Sequence, residues 1–205
     1  IQAVIAGNVM PGMGTVLDAV DDGLSIRDAI LKVLLPAQRE VGRLWHVDEI
    51  SVAEEHMVTV TTQRLMAVLA SRAEYQPYSG RTVVAAAVAG NIHDMGIRAI
   101  AYLIEMAGWR TIFLGPDVPK RDIPAAVRCF DADLVMLSLA LSSQLPMLRR
   151  SIQAIRKTNG PDVRIMVGGN GLAGVPDLWR EMGADGYAGS AHEAMKLADE
   201  LVPLS

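Results

Sequence analysis

From Gly80 onward the chain alternates short, almost uninterrupted apolar runs with stretches of helical periodicity, and this alternation limits the possible folds more than any other feature. The runs cover residues 82–88, 111–114, 134–139, 163–167 and a short 186–188. Runs this apolar read as strands covered on both faces, as in parallel sheets. Strands separated by helices form βαβ units with right-handed crossovers. Residues 80–205 are therefore expected to build a Rossmann-like, doubly wound, five-stranded parallel sheet. Ligands of such sheets bind beyond the carboxyl ends of the strands. Those ends carry "GNIHDMG" (90–96), "LGPDVP" (114–119), "LSLALSSQ" (137–144) and "GGNG" (168–171), mostly glycine and small polar residues that let a ligand approach the backbone.

The first 75 residues follow a different period. Ile26, Ile30, Val33, Leu34, Ala37 and Val41 recur at helical steps behind Ser25, a candidate N-cap. A second long helix is expected from Ser51, with Glu54 completing a capping box, to about Ala73. A shorter helical piece at 15–20 and the apolar "IQAVIAGNV" complete an expected four-helix bundle over residues 1–75, followed by "YQPYSG" as a linker. The architecture expected is α/β with an all-α cap.

Composition narrows the function. Hydrophobic residues make up 51% of the 205, enough for well-buried cores, whereas a net charge of −4 with 19 Lys plus Arg offers no field to attract phosphate backbones or anionic lipid. No nucleic-acid or membrane binding is expected. The single cysteine, Cys129, excludes an internal disulfide, and without a long apolar run or leader the expected compartment is the cytoplasm. The chain opens on Ile1, so it is read as a piece of something longer.

His93 is the most informative single residue. It follows the most apolar run and should stand at the sheet's rim, where a ligand would be met. An ordinary loop histidine bonded to a backbone carbonyl is the plain alternative. The glycines around it match neither GxGxxG nor GxxxxGK[ST], which argues against a phosphate cradle. Downstream, 41 residues separate Gly96 from Ser138, and 27 separate Ala140 from the Gly168-Gly169 pair. This spacing resembles the signature of cobalamin-binding Rossmann-like domains: Asp-x-His-x-x-Gly, then Ser-x-Leu, then Gly-Gly.

The resemblance implies that His93 is the lower axial ligand of a corrinoid cobalt and that Ser138 hydrogen-bonds the displaced nucleotide tail. It also implies that Gly168 and Gly169 leave room for the tail's flat base, with Asn91, Asp94, Met95, Gly96 and Ser142 lining the cofactor. Two positions depart from the signature: Asn91 replaces the acidic residue, and Ala140 the leucine. An amide at 91 would fix the histidine tautomer through its oxygen without adding negative charge, so ligation should survive in weakened form.

In "RLWHVDEISVAEEHM", nine residues separate Trp45 from Glu55-His56. Trp45 alone reads as core filling and Glu55 alone as a solvated carboxylate. Together they resemble the bundle motif of the CarH-like light-sensing regulators, which bind adenosylcobalamin between a helical bundle and a Rossmann-like domain. That resemblance implies that Trp45 packs on the adenosyl group and that Glu55 contacts its ribose. His56 would ligate cobalt after light breaks the cobalt–carbon bond. The favoured expectation is a cobalamin-dependent photoreceptor, not an enzyme, acting through homo-oligomer formation or an output domain.

A corrinoid carrier of a methyltransferase system is the alternative, since such carriers pair a helical cap with the same domain. A cobalamin-free interaction module is a third. Some proteins resembling this family also hold a linear tetrapyrrole. Cys129 lies on a helix away from the expected rim, so any bilin here would be non-covalent.

Overall fold

The computed structural model describes residues 1–175 and 177–204. They form two compact units, Ile1–Glu74 and Tyr75–Ser205.

In the first unit, α1 (Gln2–Ile5) is a single turn and α2 spans Val9–Asp21. α2 starts well before the expected residue 15. Pro11 falls in its first turn, where a missing N–H leaves no intrahelical bond unmade. Gly12 lets the helix press on α1, since a Cβ there would lie 2.6 Å from Val4 Cγ2. The expected Ser25 helix runs as α3 (Ile26–Asp28), a π-helical turn (Ala29–Leu34) and α4 (Leu35–His46). Ser25 Oγ accepts from the Asp28 N–H at 3.0 Å. The π turn follows from Pro36, which cannot donate to the Lys32 carbonyl and whose ring crowds it; the Leu35 N–H reaches Ile30 O instead. α5 (Val52–Arg72) begins at the capping box: Ser51 N–H donates to Glu54 Oε2 at 2.7 Å, and Glu54 N–H to Ser51 Oγ at 3.3 Å. Val4, Val41 and Val58 pack together, and Ile30, Met66 and Leu69 are fully buried.

The second unit is a parallel sheet in the order β2-β1-β3-β4-β5. Its strands are β1 (Thr82–Val88), β2 (Arg110–Val118), β3 (Leu134–Ser138), β4 (Arg164–Gly168) and β5 (Gly186–Ala188). Alternate strand residues feed two cores. Val83, Ala85, Leu134 and Met136 pack with α6 (Met95–Met106) and α10 (Ala191–Leu201). Ala86, Val88, Val135 and Leu137 pack with α7 (Asp122–Phe130) and α8 (Leu145–Asn159), near the short α9 (Leu178–Met182). β2 is longer than expected and carries most of "LGPDVP" inside the strand. Its pairing with β1 slips after Ala85 and again after Ala86, and Gly115 (φ +87°) and Asp117 (φ +53°) absorb the irregularity.

The "YQPYSG" stretch belongs to the sheet unit instead of hanging free. Gln76 N–H donates to Met106 O at 2.9 Å and Ser79 N–H to Gly108 O at 2.8 Å. A Cβ on Gly108 would collide with the Pro77 carbonyl, so this strap needs glycine there. The strand order reverses between β1 and β3. In this topology the crevice between the loops after those two strands is the favoured ligand position.

Candidate functional site

The loop after β1 is built on Asn91, which is fully buried. Its Nδ2 donates to Ser138 O at 3.1 Å, and its Oδ1 accepts from the His93 main-chain N–H at 3.1 Å. On the other flank, Gly90 N–H donates to Asp117 Oδ1 at 2.7 Å and Asp117 N–H to Asn91 O at 2.9 Å. The loop is thus tied to both neighbouring strand ends while Ile92, 72% exposed, and His93 point outward. Among the described residues the His93 ring has no hydrogen bond. The expected contact of Asn91 with that ring is corrected: the amide oxygen serves the main chain of residue 93, because the side chain is tucked beneath the loop.

Asp94 is also turned inward. Its Oδ2 lies 2.5 Å from Arg98 Nη2, and the guanidinium stacks 4.7 Å from the Phe113 ring centroid. Met95 and Gly96 form the first turn of α6, with Gly96 exposed.

Facing this loop is the turn after β3. Ser138 pairs in register with Ala87 and Gly168, and its buried Oγ has no partner among the described residues. Such an orphan hydroxyl needs an explanation, and a ligand group is one. Leu141 is 53% exposed, and Ser142 opens an exposed 3₁₀ turn that ends at Gln144. Gln144 carries a role that sequence reading missed: its Oε1 accepts from Ala140 N–H at 2.9 Å and Leu141 N–H at 3.1 Å, and its Nε2 donates to Gly90 O at 2.8 Å. The sole hint was its place at the end of "LSLALSSQ".

The glycine pair meets a packing need inside the sheet unit. A Cβ at Gly168 would lie 2.6 Å from Ala188 O, and one at Gly169 (φ +105°) would run into Leu139 O. Neighbouring backbone already fills the space a side chain would take. Gly168 lets β4 lie close to the end of β5, and Gly169 and Gly171 let the following turn lie against 139–141.

In the helical unit, Trp45 is 48% exposed near the end of α4, so it is not core filling. Glu55 is held, not freely solvated. Its Oε1 accepts from Thr59 Oγ1 at 2.7 Å and its Oε2 lies 2.5 Å from His56 Nδ1. Gln38 ties α4 to this array, with Oε1 3.0 Å from Thr59 Oγ1 and Nε2 donating to Thr62 Oγ1 at 2.8 Å. The pairing of Nδ1 leaves His56 Nε2 outward, on a face shared with the exposed Val52 and Val60. Gln38, Thr59 and Thr62 were not singled out from sequence; three polar residues on the packed sides of two helices were the available signal.

The residues present fit a corrinoid. Among the described residues no three His, Cys, Asp or Glu side chains gather to hold a metal ion. A metal bound by His93 would thus have to arrive with most of its coordination sphere filled, as in a tetrapyrrole. The rim supplies one free imidazole, one orphan hydroxyl and two exposed apolar side chains, Ile92 and Leu141. A hollow of about 380 Å³ lies at the opposite end of the sheet, lined by Asp131, Asp133, Asn159 and Asp162. It is polar, and although the buried Asn159 Oδ1 there lacks a partner among the described residues, its lining has no imidazole and no exposed large apolar side chain.

A B12 binding domain model matches residues 81–198, and a second B12 binding domain model matches residues 1–70. The chain is 27% identical over 207 residues to a corrinoid protein of Desulfitobacterium hafniense, covering 98% of this chain and 94% of that protein. It is 32% identical over 122 residues to dimethylamine corrinoid protein 3 of Methanosarcina mazei, covering 58% of this chain and 71% of that one. In structure it resembles the monomethylamine corrinoid protein of Methanosarcina barkeri, with a TM-score of 0.84 at 22% identity over 98% of this chain and 95% of that one. That likeness shows the fold.

Proposed function

The chain belongs to the B12-binding domain family, and from that premise we propose that it is a corrinoid carrier of a methyl-transfer system. A bound corrinoid would supply a cobalt able to carry a methyl group, and partner enzymes that load and unload it would do the catalysis. His93 would hold the metal, and Ser138 Oγ would hydrogen-bond the nucleotide tail. Ile92 and Leu141 give the macrocycle an apolar seat. The observation that carries the reading is the pairing, at the switch-point crevice, of an unpartnered exposed imidazole with a buried unpartnered hydroxyl. The relatives favour this reading over the light sensor, because the three described above are corrinoid proteins and two of those three are named for methylamines.

The test is reconstitution with methylcobalamin and hydroxocobalamin. The expected spectrum has the nucleotide base displaced and histidine bound, with affinity falling at least about tenfold in His93→Ala. Equal affinity in both proteins would refute the assignment.

A second reading, the adenosylcobalamin-dependent sensor, keeps one specific support: Trp45 stands exposed, and Glu55 presents an oriented His56. In it Trp45 and Glu55 contact the adenosyl group, and His56 replaces that group after illumination. Green light should then convert the adenosylcobalamin-loaded protein to a bis-histidine spectrum that His56→Ala abolishes. A spectrum identical to that of free photolysed cofactor would remove this reading. A bilin is part of neither reading.

A further inference from the structure

The loop bearing His93 is braced by two side-chain amides, one of which no motif marks. Gln144 is only 7% exposed, and all three of its hydrogen bonds go to main chain in two different loops. Its partners are two N–H groups and one carbonyl, so a single orientation of the amide satisfies them and the assignment is not arbitrary. Asn91 repeats the arrangement from the other side, joining Ser138 O to the His93 N–H. Each amide therefore spans the two walls of the same crevice. Remove the Gln144 strut, and Gly90 O, Ala140 N–H and Leu141 N–H all lose their partner. Among the described residues, side-chain bonds from Asn91 and Asp117 then hold the loop there.

We infer that Gln144 is a positioning residue for His93, fixing the imidazole's place before any cofactor arrives. The inference rests on the reading of His93 as a corrinoid ligand. A ligand loop already ordered in the free protein avoids the cost of ordering on binding. Gln144 acts on the metal bond without touching the metal. The 10- to 100-fold loss of metal affinity typical when a group that orients a metal ligand is removed sets the scale expected of it.

The test uses the whole chain and cob(II)alamin, with Gln144→Ala and Gln144→Glu each made alone and in a His93→Ala background. Gln144→Glu keeps the acceptor for the two N–H groups but sets an oxygen against Gly90 O. It should hold the β3 turn and release the histidine loop, and it decides the matter if the alanine variant does not fold. Dissociation constants come from absorbance titration, and histidine ligation from nitrogen coupling in the EPR spectrum. Gln144→Glu should weaken binding about 10- to 100-fold and reduce the nitrogen coupling. In the His93→Ala background the same change should alter affinity less than about twofold, because the path through the imidazole is already gone. Equal losses in both backgrounds would show a merely structural role and overturn the inference, as would unchanged coupling in Gln144→Glu. If the wild type itself shows no nitrogen from His93, the ligand assignment falls and this inference falls with it.

Discussion

At the scale of single residues, the site is defined less by what touches a ligand than by what the backbone cannot accommodate. Gly169 combines φ +105° with a Cβ position blocked by the Leu139 carbonyl. Gly169→Ala should therefore cost about 3 kcal/mol or more, from left-handed strain and main-chain collision together. Gly174, exposed and with open space around its Cβ position, should accept alanine within about 0.5 kcal/mol. Urea denaturation of the two variants checks this, and equal midpoints would refute it. Asn91→Asp tests the loop brace in the same way. The carboxylate would place an oxygen against Ser138 O in a fully buried position, so about 1–3 kcal/mol should be lost. A variant as stable as the wild type would mean that the Asn91 bond to Ser138 O does not support the loop.

At the scale of elements, termini and interruptions decide what a helix does. The Ser51 bonds hold the Glu54 carboxyl below the usual carboxylate range. A carboxyl whose folded value is depressed contributes stability above its unfolded value and loses it as pH falls through the folded one. Stability of the α5 start should accordingly decline on acidification, and Ser51→Ala should flatten that decline. Melting temperatures measured from neutral pH to about pH 3 for both proteins would show it, and parallel curves would count against the box.

The same element shows what was legible beforehand. Ser51–Glu54 could be read because capping is a local, sequence-near interaction. The π turn ahead of Pro36 could not, since periodicity alone does not say how a helix absorbs a proline. β1 was legible to its limits because all seven residues are buried and the six after Thr82 are apolar. β2 was not, because Gly115 and Pro116 look like a turn until pairing with β1 shows a bulged strand. At the crevice, His93 and Ser138 were singled out through the family signature that their spacing resembles. Gln144 depends on three main-chain groups 3 to 54 residues away, a relation that no local pattern encodes.

At the scale of the molecule, the boundary between the units lies before the strap at 75–80, not after it. Two main-chain bonds, Gln76 to Met106 and Ser79 to Gly108, join this strap to the α6–β2 turn. Arg81 continues the attachment: its Nη1 reaches Asp199 Oδ1 at 2.7 Å and Val202 O at 2.9 Å, its guanidinium lies 4.1 Å over the Trp109 ring, and its Nε donates to Ser79 Oγ at 3.2 Å. A fragment of residues 75–205 should therefore fold as a cooperative unit. A fragment starting at Arg81 keeps the sheet but loses both strap bonds, each worth about 0.5–1.5 kcal/mol. It also leaves Gly108 without the chain it was shaped to receive. Its melting temperature should be lower by roughly 5–10 °C. Scanning calorimetry of the two fragments decides the point. Coincident transitions would mean that the strap merely lies on the sheet unit, and that the boundary belongs at Gly80, where the change of sequence period alone would put it.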